Sequence, residues 1–279
     1  MPATATSHPC FYPEARTRYG RIHLPVAPGC NISCLYCRRD YDCANESRPG
    51  VTSQVLEPAA ALEHLERALA SMPYLRVVGI AGPGDPFHQP ARTLACLELV
   101  RSRHPELILC LSTNGYGLAP HVADLAELGV GFATLTINAV DPAVGAGLYQ
   151  RVGVGEAARR GAEGAGELIA RQFAALAALK ARGLTVKVNT VVVPGLNQGQ
   201  VGAIARRAGR LGADLMNLIP VIPLAGTPLA GQVAPHPALI RRLRQEARQH
   251  LPQMEHCQRC RADAVGLLGG SLPGCPTRP

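Results

Sequence analysis

The sequence predicts an α/β fold in which a parallel sheet either lies open or curls into a partial barrel. Six short runs rich in Val, Ile or Leu alternate with segments of helical periodicity, and such repeated β–α units imply parallel strands. The chain has 279 residues, of which 47% are hydrophobic and 17% charged, so it can bury one large core. The predicted strands are Arg21–Ala27, Arg76–Ala81, Leu107–Thr113, Gly131–Ile137, Thr185–Val193 and Asp214–Val221.

Helical segments are marked by apolar side chains three and four residues apart. Leu62, Leu65 and Leu69 show this spacing, which gives one buried face. Glycine favours neither helix nor strand, so the run Gly153–Gly166 is predicted to be a flexible loop. The β–α units occupy a predicted core at residues 21–225, between a turn-rich extension at 1–20 and a tail at 226–279 with a further helix over about Pro237–His250.

Composition and charge limit the classes of partner. No stretch approaches the roughly 18 apolar residues of a membrane span, and the amino terminus lacks the apolar run of a secretory signal. The net charge is +8, but the basic residues are spread along the chain, there is no Trp, and aromatic residues make up 4%. We therefore expect a cytoplasmic protein that binds neither a membrane nor nucleic acid.

The ten cysteines indicate metal binding. Disulfides are rare in a reducing cytosol, and these cysteines are clustered rather than scattered. Five lie between Cys10 and Cys43, and a CxxC motif follows near the end of the chain. Cys96 lies in a helical pattern typical of a packed core thiol, and Cys275 is assigned no role.

The strongest motif is Cys30-Asn-Ile-Ser-Cys34-Leu-Tyr-Cys37, a CxxxCxxC loop after the first predicted strand. Three thiolates can bind three irons of a [4Fe–4S] cube and leave the fourth iron without a protein ligand, whereas four cysteines are usual for plain electron transfer. An open iron suits catalysis because a small molecule can coordinate there. A zinc-binding loop is the alternative for this spacing.

This motif, with a hydrophobic residue and Tyr before Cys37, resembles that of the radical S-adenosylmethionine (SAM) superfamily. The resemblance implies a partial (β/α)6 barrel in which SAM binds the open iron and is split by electron transfer into methionine and a 5′-deoxyadenosyl radical. One of the SAM-binding residues that the resemblance implies is Asn189. The alternative for Asn189 is a buried core amide whose hydrogen bonds are satisfied by neighbouring backbone. The others are Gly82, Gly84 and Asp85 in the loop Gly79-Ile-Ala-Gly-Pro-Gly-Asp85, and Asn114 in Ser112-Thr-Asn114-Gly.

Further motifs carry a narrower resemblance. They are His8-Pro-Cys10, Arg39-Asp-Tyr-Asp-Cys43-Ala-Asn-Glu46-Ser-Arg48-Pro-Gly, Cys110-Leu-Ser-Thr-Asn114-Gly, and His256-Cys257-Gln-Arg-Cys260-Arg-Ala-Asp263. Together with CxxxCxxC they resemble the NifB family of nitrogenase cofactor biosynthesis proteins over residues 8–268.

The NifB resemblance implies a radical SAM enzyme, of lyase or transferase type, that holds three [4Fe–4S] clusters. One cluster cleaves SAM and two are substrates. A methyl group passes from SAM to the substrate clusters, a deoxyadenosyl radical abstracts hydrogen from it, and the two cubes fuse around the resulting carbide. The product is an eight-iron precursor of the nitrogenase cofactor, completed with an added sulfur.

The family's ligand positions match residues of this sequence. Glu46 is a candidate additional ligand for the substrate cluster of Cys10, Cys257 and Cys260, and Arg48 is assigned to the SAM carboxylate. The matching ligands are Cys30, Cys34 and Cys37 for the SAM cluster, His23, Cys43 and Cys110 for one substrate cluster, and Cys10, Cys257 and Cys260 for the other.

Several of these residues have simpler alternatives. His23 alternates with apolar residues and fits a satisfied core or surface histidine, and Cys110 fits a small buried hydrophobe. The CxxC pair fits a zinc knuckle closed by an amino-terminal cysteine. Glu46 fits an ion pair with Arg39 or Arg48.

The resemblance also implies partners and a tail geometry. The partners are cluster-donor proteins, an electron donor, and a downstream carrier or scaffold for the product. Because the chain ends soon after the CxxC motif, we expect a short form without the cofactor-binding domain of some members. Cys10 and the Cys257/Cys260 pair come from opposite chain ends, so both extensions are expected to close over the barrel mouth.

Two competing functions remain at this point. One is a different radical SAM enzyme with auxiliary clusters, which gives no reason for the Asp42–Arg48 stretch. The other is a zinc or nucleic-acid module that uses the CxxC motif and the basic charge.

Overall fold

The computed structural model of the protein describes residues 5–268. Within this range, seven strands form one sheet and two form a second, small sheet. In chain order the strands are β1 Gly20–His23, β2 Ile32–Cys34, β3 Leu75–Ile80, β4 Ile108–Thr113, β5 Val130–Thr136, β6 Tyr149–Val152, β7 Thr185–Val192, β8 Leu215–Pro220 and β9 Val265–Gly266.

The large sheet is a curled, partial barrel with the strand order β8-β7-β5-β4-β3-β1-β9. Neighbouring strands are parallel, except that β9 runs antiparallel to β1. The six predicted strands are all confirmed, with ends that differ by a few residues. The predicted partial barrel is therefore correct.

The connections between parallel strands are mainly helical, as the sequence predicts. Helices α1, α2, α4 and α7 begin with proline, which fits the first helical position because it has no N–H to leave unpaired. Within the described residues, every helix is too short or too polar to traverse a bilayer. The helices are α1 Pro58–Ser71, α2 Pro90–Arg103, α3 Val122–Glu127, α4 Pro142–Ala146, α5 Gly161–Ala181, α6 Val201–Arg210 and α7 Pro237–Arg248.

The two faces of the sheet differ in chemistry because successive side chains of a strand point to opposite sides. One face is apolar and fully buried, as Leu109 and Leu111 of β4 illustrate, and it belongs to the main core. The other face lines the inside of the partial barrel. Its side chains include Arg21, His23, Gly79, Cys110, Ser112, Thr134, Lys187, Asn189 and Asn217.

A small antiparallel sheet supports the cysteine loop. Strand β2 lies within the CxxxCxxC motif and pairs with β6, so that Ile32 faces Val152 and Cys34 faces Tyr149. Backbone hydrogen bonds from Leu35 N to Leu148 O and from Gly153 N to Asn31 O extend this pairing on both sides, each 2.8 Å long. Neither strand is predicted from the sequence, because three or four residues are too few to show a periodicity.

Both chain ends lie against the inner face of the sheet. The amino-terminal Phe11 packs with Val77, Cys110 and Phe132 in a small cluster separate from the main core. The carboxyl-terminal β9 adds a seventh strand beside β1. The expectation that extensions from both ends close the barrel is met for the described residues, whereas Cys275 lies outside them.

The predicted flexible loop at Gly153–Gly166 is wrong for its second half. Helix α5 begins at Gly161, and its first turns contain Gly164 and Gly166. A Cβ on Gly164 would lie 2.8 Å from the carbonyl oxygen of Arg159, so glycine lets the chain pass close to this helix. The glycines here allow close packing, which composition alone does not distinguish from a loop.

The glycine-rich loop after β3 packs directly on the cysteine loop. Gly84 N donates to Ala27 O at 2.7 Å, and a Cβ on Gly84 would lie only 1.8 Å from the carbonyl oxygen of Gly29, next to Cys30. On the other side, a Cβ on Gly82 would lie 3.2 Å from Cβ of Ala262 in the carboxyl-terminal tail. These two glycines therefore hold the loop and the tail in contact.

This contact predicts the effect of Gly84→Ala. The added methyl group must displace the backbone at Gly29, so the free energy of unfolding should fall by about 3 kcal/mol in urea titrations of the metal-free protein. Gly131→Ala is the control, since nothing lies within 4 Å of its Cβ position. Equal stability of the two variants would contradict the packing described here.

Candidate functional site

The cysteines of the CxxxCxxC motif come together on the loop after β1. Their thiols interact electrostatically with one another. Burial raises the pKa of Cys30 to about 12, with Asp85 as the next cause, and raises the pKa of Cys34 still further, with Cys37 next. The buried thiols therefore keep their protons until a metal displaces them.

Each of these three sulfurs receives an N–H donor from a different part of the chain. Such donors stabilise thiolate charge and tune a bound cluster. The set of three thiols with three donors fits a [4Fe–4S] cluster. The donor–sulfur pairs are Asn114 Nδ2 to Cys30 Sγ at 3.5 Å, Asn45 Nδ2 to Cys34 Sγ at 3.7 Å and Arg39 Nη1 to Cys37 Sγ at 3.9 Å.

Asp85, predicted to bind SAM, lies behind the cysteine loop and is used by the protein itself. Its buried carboxylate accepts hydrogen bonds from the Thr113 hydroxyl and from the backbone N–H groups of Phe87 and Asn114. Burial raises the pKa of this carboxyl, and these donors oppose the rise. Asp85 thus fixes Asn114, which donates to the Cys30 sulfur.

A cavity that is partly open to solvent lies on the inner face of the sheet. It brings together residues from both extensions, from six strands and from the segment after the cysteine loop. Six of the seven side chains predicted to bind the two substrate clusters line this cavity. They are Cys10, His23, Glu46, Cys110, Cys257 and Cys260.

The cysteines of the two chain ends meet in this cavity. The Cys10 thiol interacts electrostatically with Cys260 and Cys257, while burial raises its pKa to about 11. Arg21 Nη2 of β1 donates to Cys260 Sγ at 2.8 Å. The set predicted for one substrate cluster is thus assembled from residues about 250 positions apart in the chain.

His23 has the form that a metal ligand requires. Burial lowers the pKa of its imidazole to about 4, with the Arg21 charge as the second cause, so the ring is neutral at pH 7. Its Nδ1 lies 3.1 Å from the carbonyl oxygen of Arg261, an acceptor, so Nδ1 carries the hydrogen and donates. The unprotonated Nε2 is then available to a metal.

Cys110 and Cys43 lie on different sides of Glu46. Cys110, on β4, interacts with Lys187, Cys10 and Glu46, and burial raises its pKa to about 12. Cys43 is buried and interacts most with Cys37 and Cys30 of the cysteine loop, then with Glu46, and does not line the cavity. In the register of the sheet, Gly79 of β3 faces both His23 and Cys110, so one strand separates these two residues, while Cys43 lies nearer the SAM-cluster loop.

Glu46 occupies the space between the cysteine loop and the cavity. Its carboxylate accepts hydrogen bonds from the Thr136 hydroxyl and, at 3.1 Å, from Asn189 Nδ2. Burial raises the pKa of this carboxyl to about 7, although hydrogen bonds from Thr136 and Ser112 and the charge of Lys187 oppose the rise. Thr136 and Asn189 are thus hydrogen-bond partners of the Glu46 carboxylate.

Asn189, predicted to bind SAM, is instead held by other protein groups. Besides donating to Glu46, its amide donates to the carbonyl oxygen of Asn45 at 3.2 Å and accepts from Asn217 Nδ2 at 3.3 Å. This matches the alternative of a satisfied core amide. The Arg48 backbone N–H donates to Cys260 O at 3.0 Å, which joins the segment after the cysteine loop to the tail.

Two buried side chains anchor the carboxyl-terminal tail over the cavity. Asp42 accepts a hydrogen bond from the Ala262 N–H at 3.0 Å. Arg259 donates to the carbonyl oxygens of Pro220 at 2.6 Å and Ala44 at 3.2 Å, and its φ of 51° gives the sharp turn between the two cysteines of the CxxC motif. The tail is thus fixed to both β8 and the cysteine loop.

Three residues of the site are not predicted as site residues from the sequence. Asn45 donates to Cys34, and Lys187 and His8 line the cavity. Lys187 lies two positions before Asn189 on β7, so strand alternation places both on the inner face, a signal available from the sequence. Cys96, by contrast, is buried in the main core as predicted.

The described residues contain no site for a single metal ion. Across residues 5–268, no three His, Cys, Asp or Glu side chains are arranged so that they could hold one ion. A [4Fe–4S] cube spaces its ligands more widely, because each thiolate binds a different iron.

Comparison with known proteins gives two kinds of relative. One is the protein described as FeMo cofactor biosynthesis protein NifB, from Chlorobaculum tepidum (48% identity, 96% of this chain and 63% of that protein) and from Azotobacter vinelandii (42%, 96% and 54%). The chain thus spans a little over half the length of these relatives. The second kind is solved structures that share the fold. They are those of Streptococcus suis SuiB (TM-score 0.60, 16% identity, 85% of this chain and 49% of that one) and of the FeFe-hydrogenase maturase HydG from Carboxydothermus hydrogenoformans (TM-score 0.59, 14% identity, 82% and 50%).

The match that decides the family covers the barrel. Residues 24–208 match the radical SAM superfamily, a span that runs from the end of β1 through most of α6 and includes the three cysteines with their N–H donors. Sequence, fold and donor set agree. The chain therefore belongs to the radical SAM superfamily, and within it the chain is similar to proteins described as FeMo cofactor biosynthesis protein NifB.

Proposed function

We propose that this chain fuses two [4Fe–4S] clusters around a carbide derived from SAM and so makes the eight-iron precursor of the nitrogenase cofactor. The observation that supports this most is the cavity. One space on the inner face contains two groups of thiol and imidazole ligands, and Glu46 on its wall interacts with Cys43 beside the cysteine loop. A fusion reaction requires its substrates to be held close to each other and to SAM.

Cys30, Cys34 and Cys37 hold the SAM cluster in this proposal. With SAM bound, that cluster supplies methyl transfer and a 5′-deoxyadenosyl radical. The chain's own residues keep the cysteine loop rigid through the Gly84 contact and donate hydrogen bonds to the three sulfurs. Arg48 is assigned to the SAM carboxylate.

The two substrate clusters are assigned to the two ligand groups of the cavity. Cys10, Cys257 and Cys260 bind one, with Glu46 as an additional ligand, and His23, Cys110 and Cys43 bind the other. A neutral imidazole and a carboxyl whose pKa lies near 7 release iron more readily than thiolates do. Such ligands suit clusters that must leave as product.

The proposal implies a pathway around this enzyme in the cytoplasm. Proteins that donate clusters must supply the two cubes, and an electron donor must reduce the SAM cluster. The product must then pass to a carrier or scaffold protein, because it is consumed elsewhere.

The test uses the anaerobically reconstituted protein with SAM and dithionite. The proposal predicts that S-adenosylhomocysteine and 5′-deoxyadenosine form together, without an added organic substrate, and that the product activates a nitrogenase lacking its cofactor. A radical SAM enzyme that modifies an organic molecule would give deoxyadenosine only with that molecule, and this result would contradict the proposal.

Cys110→Ala is predicted to separate product formation from SAM cleavage. Product formation by the variant should fall by at least about 100-fold, because the substitution removes a thiolate ligand of iron. Its deoxyadenosine yield in the presence of dithionite should stay within about threefold of wild type. Cys96→Ala, which removes a buried core thiol away from the site, is the control for loss of packing. Loss of both activities in Cys110→Ala alone would show that the ligand division is incorrect.

Cluster binding is also predicted to protect both chain ends from proteolysis. In the metal-free protein the tail is held by a two-residue strand and a few hydrogen bonds, and bound clusters would add ligand bonds to Cys10, Cys257 and Cys260. Tryptic cleavage within residues 14–18 and 259–261 should therefore slow by about tenfold or more on reconstitution.

Cleavage after Arg67, an exposed residue of α1, serves as the internal control and should not change. Equal cleavage of the chain ends in both forms would contradict the proposed coupling between cluster binding and tail order.

A further inference from the structure

The inner face of the sheet carries a buried cation that the assigned ligands do not use. Lys187 on β7 is 7% exposed and lines the cavity. Its Nζ lies 3.9 Å from Met254 Sδ and 4.9 Å from the centre of the Phe11 ring. Neither neighbour neutralises a positive charge.

Burying an ammonium group without a close anion is costly, so its retention needs an explanation. Among residues 5–268, no carboxylate oxygen lies within ion-pair distance of Lys187. The choice of residue is unusual for this chain too, because Lys180 and Lys187 are the only lysines among its 28 basic residues. Lys180 is partly exposed and pairs with Asp214, as an ordinary lysine does.

Lys187 lies between the two groups of ligands. It interacts electrostatically with Cys10, which belongs to one predicted cluster site, and with His23 and Cys110, which belong to the other. A [4Fe–4S] core with three thiolate ligands carries net negative charge. Two such clusters in one cavity repel each other, and a cation between them lowers this repulsion.

A second unpaired donor lines the same cavity. His8 accepts a hydrogen bond at Nδ1 from the Cys10 N–H at 3.2 Å, so a neutral ring carries its hydrogen on Nε2. Nε2 is buried and has no partner among the described residues. The ring is held by Phe11 and Phe132, whose centres lie 4.7 and 4.6 Å away.

We propose that Lys187 and His8 bind the cluster substrates as N–H donors to their sulfurs, with Lys187 bridging the two cluster sites. This inference rests on the proposed function, because it assumes that both clusters occupy the cavity. Sulfide and thiolate sulfurs are the acceptors that such donors meet in iron–sulfur sites. Both residues are positioning residues, since neither needs to bind iron.

The test uses a background in which Cys30→Ala, Cys34→Ala and Cys37→Ala remove the SAM cluster, so that only the cavity binds iron. After anaerobic reconstitution, the release of iron to a chelator is followed with and without Lys187→Met. We expect the Lys187→Met protein to release iron about tenfold faster than the background, which corresponds to the loss of one charge-assisted hydrogen bond. His8→Phe keeps the ring contacts and should change the rate in the same direction. Lys180→Met is the matched control and should leave it unchanged.

Two further measurements separate this role from a structural one. Without metal, Lys187→Met should melt no lower than the background, because it removes a buried charge that has no carboxylate within ion-pair distance among the described residues. With clusters bound, their reduction potential should become more negative, because a positive charge that favours the reduced form is gone.

If Lys187→Met changes neither the rate of iron release nor the reduction potential of the bound clusters, the inference is overturned and the proposed function stays intact. Failure of the background protein to bind iron in the cavity at all would instead overturn the proposed ligand division, and the inference with it.

Discussion

The alternation of side chains along parallel strands is the constraint on which the site depends. Each strand of the partial barrel presents one row to the helices and one row to the interior, and the outer row is apolar. The inner row is thereby free to carry His23, Cys110, Lys187 and Asn189 without weakening the main core. A register shift of one residue would reverse both rows, so the fold and the chemistry are specified together.

Burial makes the site dependent on metal. Burial raises the pKa values of the Cys10, Cys30 and Cys110 thiols because it disfavours the thiolate. Cluster binding must displace these protons, so affinity and folding of the chain ends are coupled. The N–H donors aimed at the Cys30, Cys34 and Cys37 sulfurs would stabilise thiolates at these positions, which suits a charged, metal-bound state.

The sequence alone allows the parallel sheet, the cysteine loop and the meeting of both chain ends to be predicted, because each depends on periodicity or on a spaced motif. It does not reveal β2 and β6, which are too short to show a pattern, nor the helix that begins at Gly161, where glycine serves close packing. The role of Asp85 behind Asn114 is also hidden, since a hydrogen-bond network depends on three-dimensional contacts. The position of Lys187 on the inner face, by contrast, can be predicted from strand alternation.

The central claim is that carbon from SAM and two iron–sulfur cubes meet in one cavity of this chain. The direct measurement is a hyperfine spectrum of the protein after turnover with SAM labelled with carbon-13 in its methyl group. The account predicts a strong carbon-13 coupling to the iron of the protein-bound product, and its absence in Cys110→Ala. Label found only in small-molecule products, with uncoupled clusters left on the wild-type protein, would contradict it.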